Sequence, residues 1–129
     1  MPDPAEDRSE ETTEDLFLGG RLRLRQPRRG HRAGHDAILL ASATRVQSGQ
    51  RVVEFGAGVG AAGLSVSHRV PGIDLTLVEI DAALAALARA NAAANGIDAQ
   101  VIALDVTAGA DVFAASGLGP DSADVVLMN

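Results

Sequence analysis

A chain of 129 residues has room for one domain with a single core and is short for an enzyme that must enclose two substrates. Apolar residues make up 47% but aromatics only 2%, and cysteine is absent, so small aliphatics must do the packing and neither a disulfide framework nor a thiolate metal site can form. The net charge of −6 resides in residues 1–15, where seven acids face Arg8 alone, while residues 21–32 carry six arginines and no acid.

Residues 1–15 read as a disordered acidic leader, polar and poor in aromatics. No basic region followed by an apolar segment opens the chain, and no apolar run has bilayer length. A cytoplasmic protein without a membrane partner is the expectation.

Residues 16–50 read as an N-terminal hairpin and helix. Leu16-Phe17-Leu18 and Leu22, Leu24 flank Gly19-Gly20, two extended segments about a tight turn. In RLRLRQP arginines alternate with leucines, which gives one charged and one apolar face. Arg21, Arg23, Arg25, Arg28 and Arg29 are therefore candidate phosphate contacts, since guanidinium matches phosphate with paired donors. The plainer alternative is a basic strip that the leader shields. Residues 30–36 read as a loop in which Asp36 caps a helix beginning AILLASATRVQ and closed by Ser48-Gly49.

From residue 51 strands alternate with helices. RVVEF, DLTLVEI, AQVIAL and ADVVLM are four apolar strands. A glycine-rich turn and helix follow the first, an alanine-rich helix stopped by Gly96 follows the second, and a weaker loop-and-helix segment follows the third. This order implies parallel strands joined by right-handed crossovers, an α/β fold with helices on both faces of the sheet.

VVEFGAGVG, residues 52–60, carries the chemistry. Gly56, Gly58 and Gly60 fit a turn that brings backbone close to a nucleotide, and with Ala61 they also fit a dinucleotide fingerprint. Glu54 argues against a dinucleotide, because a pyrophosphate over a helix N-terminus wants N–H donors and no neighbouring anion. A cationic ligand without phosphate suits it better. Glu79 ends the second strand where a carboxylate can accept both ribose hydroxyls, and Asp81 is placed to cap the next helix. Asp105 ends the third strand within reach of an adenine amine, with Ile80 or Val106 to pack on the ring. Three acids thus sit at the carboxyl edge where open α/β sheets bind ligands. No metal site is expected.

Glu54-x-Gly56-x-Gly58-x-Gly60 resembles the first motif of class I S-adenosylmethionine-dependent methyltransferases, with a Rossmann-like three-layer fold. That resemblance implies S-adenosylmethionine as cofactor, with Glu54 at its methionine end. ADVVLMN resembles the strand that leads into Asn/Asp-Pro-Pro-Tyr/Phe in methyltransferases of planar amines, and Asn129 matches the motif's first position. Such an asparagine implies a catalytic role, accepting a hydrogen bond from the amine. Upstream, Gly20-Arg21-Leu22, Gln26-Pro27, residues 30–37 and Leu39-Leu40 resemble the bacterial tRNA adenine-N6 methyltransferases of valine tRNA. This implies that Arg32, Gly34 and Asp36 close over the cofactor and that the partner is a tRNA with its target adenine in a single-stranded loop.

The expected organisation is a leader (1–15), a hairpin and helix (16–50) and the first half of the cofactor-binding domain (51–129). Full domains of this class resemble one another in having seven strands, with the fourth beside the first. The four present imply an open fourth-strand edge, aggregation or a homodimer through that edge, and no activity from the chain alone. Rival readings are a protein-glutamine methyltransferase, a non-catalytic nucleoside-binding module and a nicotinamide-dependent oxidoreductase.

Overall fold

The computed structural model describes residues 11–30 and 32–129. β1 (Thr12–Phe17) and β2 (Leu22–Pro27) form an antiparallel hairpin in which Glu14 faces Arg25 and Leu16 faces Arg23. Gly19 and Gly20 make the turn at φ 66° and 87°, a region that glycine enters without steric cost. The two-residue alternation of RLRLRQ is realised: Leu22, Leu24 and Gln26 are buried while Arg21, Arg23 and Arg25 are exposed.

Strand β1 begins within residues expected to belong to the leader. Thr12–Asp15 belong to β1, because an apolar β2 needs a partner strand and the acids there can alternate outward or find donors. Glu14 is exposed, and Asp15 accepts bonds from Thr13, Gln26 and Arg32. Residues 1–10 of the expected disordered leader lie outside the described residues, as does His31.

Helix α1 (His35–Ala43) starts earlier and ends sooner than the sequence suggests. Gly34, extended at φ −142°, is its N-cap, and Asp36 lies in the first turn, where the helix dipole favours a carboxylate. At the other end the Thr44 N–H and hydroxyl both bond the Leu40 carbonyl, and Arg69 binds the Ala41 and Thr44 carbonyls. These donors satisfy the last turn's acceptors and stop the helix short of residue 47.

The sheet contains β3 (Arg51–Phe55), β4 (Asp74–Val78), β5 (Ala99–Ile102) and β6 (Val125–Met128). All pairs are parallel, in the order β5-β4-β3-β6. The strand expected beside the first is there: β6 pairs with β3, Glu54 opposite Leu127. Helices α2 (Ala61–Arg69), α3 (Ala82–Ala94) and α4 (Ala110–Ala115) form the crossovers.

On one face Val52, Leu75, Leu77 and Leu127 meet Leu64, Val66, Ala88 and Ala92, and β2 adds Leu22 and Leu24. On the other, Val53, Val78 and Leu104 pack with Phe55, Ile102 and Phe113. The Phe55 and Phe113 rings meet edge to face at 6.1 Å. Alanine on α3 lets that helix lie close to the sheet. Its end is a Schellman motif: Ile97 N–H reaches the Ala92 carbonyl, Gly96 N–H reaches that of Ala93, and Gly96 sits at φ 66°. Strand order reverses between β3 and β6, so a crevice opens at their carboxyl ends. Among the described residues no helix is long and apolar enough to cross a membrane.

Candidate functional site

The crevice is built around the bend after β3. Gly56, Gly58 and Gly60 have φ of 64°, 58° and 93°. Gly60 is the N-cap of α2 and has no side chain to accept the first helical N–H groups. Glu54 supplies that acceptor from the strand: its Oε1 accepts the Gly63 N–H at 2.9 Å. The bend is held further by Ala57 N–H on the Val78 carbonyl and Gly58 N–H on Glu79 Oε1 at 2.8 Å.

Glu54 is 2% exposed, and burial pushes its carboxyl up from 4.5 to about 7. The Gly63 bond opposes that rise and the charge of Glu79 adds to it. Glu54 also lines a cavity of about 420 Å³ together with Arg32, Gly34, Asp36, Gly56 and Asn129. The structure thus brings the upstream candidates to the glycine bend. Arg32 is anchored there by Asp15, Thr13 and the Pro27 carbonyl, at 2.9, 2.9 and 2.6 Å. Ala33 N–H binds Gln26 Oε1 at 2.7 Å, so the loop into α1 is tied to the hairpin at two points.

A second cavity of about 210 Å³ adjoins the first and shares Gly56 and Asn129 with it. Glu79, Asp105, Ile80 and Val106 line it. Glu79 accepts Gly58 N–H on Oε1 and Asp81 N–H on Oε2, which fixes its rotamer and leaves each oxygen a second acceptor position. Asp81 caps α3 through Leu84 N–H at 3.0 Å, as its place in the sequence suggests. Asp105 Oδ1 accepts the Thr107 hydroxyl and N–H, which hold its carboxyl below the ordinary value. Ile80 and Val106 are exposed at 63% and 49%, apolar flanks open to a planar ligand.

The arginines lie elsewhere. Arg23 and Arg25 project from the outer face of β2, Arg25 touching Thr12 Oγ1 at 3.2 Å, and Arg21, Arg28 and Arg29 are exposed nearby. Among the described residues no cluster of His, Asp and Glu is placed to hold a metal ion.

Sequence reasoning missed three residues. A Cβ at Gly63 would stand 2.5 Å from Leu77 Cδ2 and 2.9 Å from Glu54 Oε1, so glycine is what lets α2 approach β3 and β4. A glycine inside a helical pattern was the available sign. Asn91 and Asn95 fasten β2 to α3 through paired backbone bonds. Two asparagines four apart in an alanine helix were the corresponding sign.

An open parallel sheet with a glycine bend after its central strand and carboxylates at three strand tips is a Rossmann-like methyltransferase fold. The methyltransferase small domain family matches residues 33–129, and the chain belongs to that family. It is similar to ribosomal RNA small subunit methyltransferase C of Pseudomonas syringae pv. tomato, 38% identical over 54% of this chain and 21% of the relative. The same enzyme of Pseudomonas entomophila is 36% identical over 72% of this chain and 25% of the relative. The chain therefore spans about a quarter or less of these curated relatives. Among solved structures, the T. thermophilus 16S rRNA N2 G1207 methyltransferase in complex with AdoMet and guanosine shares the fold at TM-score 0.68 and 22% identity, over 92% of this chain and 32% of that one. A predicted O-methyltransferase from Agrobacterium tumefaciens is 34% identical at TM-score 0.65, over 72% of this chain and 47% of that one.

Proposed function

We propose that this chain forms the S-adenosylmethionine-binding part of an N-methyltransferase that modifies the exocyclic amine of an RNA base. The observation that carries the proposal is the place of Asn129, which lines both the cavity of Glu54 and the cavity of Glu79 and Asp105. A methyl donor spanning the two cavities would present its reacting carbon beside that asparagine.

The residues suit such a donor and disfavour a diphosphate. The Gly63 and Gly58 amides, which a pyrophosphate would use, already donate to Glu54 and Glu79. Glu54 supplies negative charge toward an ammonium or sulfonium, Glu79 keeps acceptor positions for a ribose diol, and Ile80 and Val106 offer apolar surface to an adenine ring. Bound S-adenosylmethionine supplies an electrophilic methyl group. Asn129 accepts a hydrogen bond from the target amine through its amide oxygen, which orients a poorly nucleophilic nitrogen and favours its pyramidal form.

Within RNA, two acceptors are in view. Adenine in a tRNA loop follows from the Gly34-x-Asp36-x-x-Leu39-Leu40 pattern, and guanine in ribosomal RNA follows from what the similar enzymes are named for. The arginine face of β2 supports an RNA partner of either kind. Incubation of the whole enzyme to which this part belongs with methyl-labelled S-adenosylmethionine and ribosomal RNA, tRNA or protein tests this. Label on a purine amine is expected, and label on a protein glutamine would overturn the RNA assignment.

A further inference from the structure

Asn91, on helix α3, hydrogen-bonds both strand β2 and the glycine bend. It is 2% exposed on the buried side of α3. Its Oδ1 accepts the Arg25 N–H at 2.7 Å, and its Nδ2 donates to the Arg25 carbonyl at 3.0 Å and to the Val59 carbonyl at 2.9 Å. Val59 lies between Gly58 and Gly60, at the heart of the bend. One turn later Asn95 repeats two of these three bonds: Oδ1 accepts Arg23 N–H at 2.9 Å and Nδ2 donates to the Arg23 carbonyl at 2.6 Å, while its other amide hydrogen goes to the Asn91 carbonyl at 2.7 Å and not to the bend. The two amides stand where a third strand would stand, pairing with alternate residues of β2 whose side chains form the arginine face.

We propose that ligand binding at the glycine bend and RNA binding on the arginine face of β2 are positively coupled, with Asn91 as the positioning residue between them. This rests on the function proposed above and adds the regulation of that site. A nucleoside ligand on the bend fixes the Val59 carbonyl, and that carbonyl holds one hydrogen of the Asn91 amide. The remaining donor and acceptor of that amide hold the backbone of Arg25, and so the spacing of Arg23 and Arg25. A strand ordered by the first ligand needs less ordering by the second, which is cooperativity through reduced conformational entropy. By linkage the effect is reciprocal.

The test uses the intact chain, S-adenosylhomocysteine and a labelled single-stranded oligoadenylate. S-adenosylhomocysteine should raise RNA affinity about five-fold, the low end of ordinary coupling, and should slow hydrogen exchange of the Arg25 amide more than that of Arg23. Asn91→Ala should abolish the gain in RNA affinity, whereas Asn95→Ala, which leaves the bend untouched, should keep it. Equal RNA affinity with and without S-adenosylhomocysteine overturns the coupling while leaving the function standing. Failure of S-adenosylhomocysteine to bind overturns both, whereas failure of the oligoadenylate alone overturns the coupling. Should Asn91→Ala fail to fold, exchange at Arg25 in the unaltered chain decides, and no slowing there refutes the proposal.

Discussion

Glu54 on strand β3 caps helix α2 by accepting the N–H of Gly63 at 2.9 Å, so the acid ahead of the glycines and the glycine inside the helix form one unit. The carboxylate takes a donor that the N-cap, Gly60, cannot satisfy. The same group borders the larger cavity, so its ionisation is open to whatever binds there.

A pH dependence follows from that burial. Glu54 has its folded value raised from 4.5 to about 7, so between those limits the folded chain holds a proton that the unfolded chain has released. Stability from this group is complete below about pH 4.5 and declines as pH rises to about 7. Urea midpoints across that interval should fall in the unaltered chain and lose the trend in Glu54→Gln. An unchanged trend in the variant would assign the decline to another group. Asp15, Asp105 and Asp124 have lowered values, so their contributions are lost only in stronger acid and do not mask the effect.

Gly63→Ala should destabilise the fold although alanine is the better helix former by about 1 kcal/mol. The added Cβ would press on Leu77 and Glu54 at 2.5 and 2.9 Å, and overpacking of this kind costs about 1–3 kcal/mol. Urea unfolding measures the net loss, and a gain in stability would mean that α2 can shift outward freely.

Glu79→Ala should weaken binding of S-adenosylhomocysteine and adenosine about ten-fold or more, since it strips acceptors from the Gly58 and Asp81 amides as well as from the ligand. Asp81→Ala is the informative contrast. It should cost about 1 kcal/mol as a lost helix cap and leave ligand affinity nearly unchanged. Equal losses of affinity in the two variants would place Glu79 outside the site.

The parallel sheet was legible because each strand is a short apolar run punctuated by glycine, proline or an acid, and the stop at Gly96 was legible from glycine's ease at positive φ. The start of β1 was not. Thr12–Asp15 look like solvated chain until Gln26 and Arg32 arrive to satisfy Asp15, and those partners are 11 and 17 residues away. The end of α1 was hidden for a similar reason, since Arg69 comes from the next helix to take its carbonyls. At the site, the strand-tip acids could be read from spacing alone. The capping bond of Glu54 and the reach of Asn91 across three elements depend on tertiary contacts that no local pattern encodes.

Replacing Arg23 and Arg25 with glutamine should weaken single-stranded RNA binding with little regard to sequence. Losing two phosphate contacts should flatten the logarithmic salt dependence by roughly one and a half units. Titration at several salt concentrations reads both quantities. An unaltered slope would show that phosphates are met elsewhere.

Calorimetric titration near neutral pH tests the central claim most directly, that the carboxylates around the glycine bend select a cationic nucleoside over a diphosphate. S-adenosylmethionine should bind with release of a proton from Glu54, seen as heat that varies with the buffer's ionisation enthalpy, and NAD should give no binding heat. Tighter binding of NAD than of S-adenosylmethionine would contradict the account.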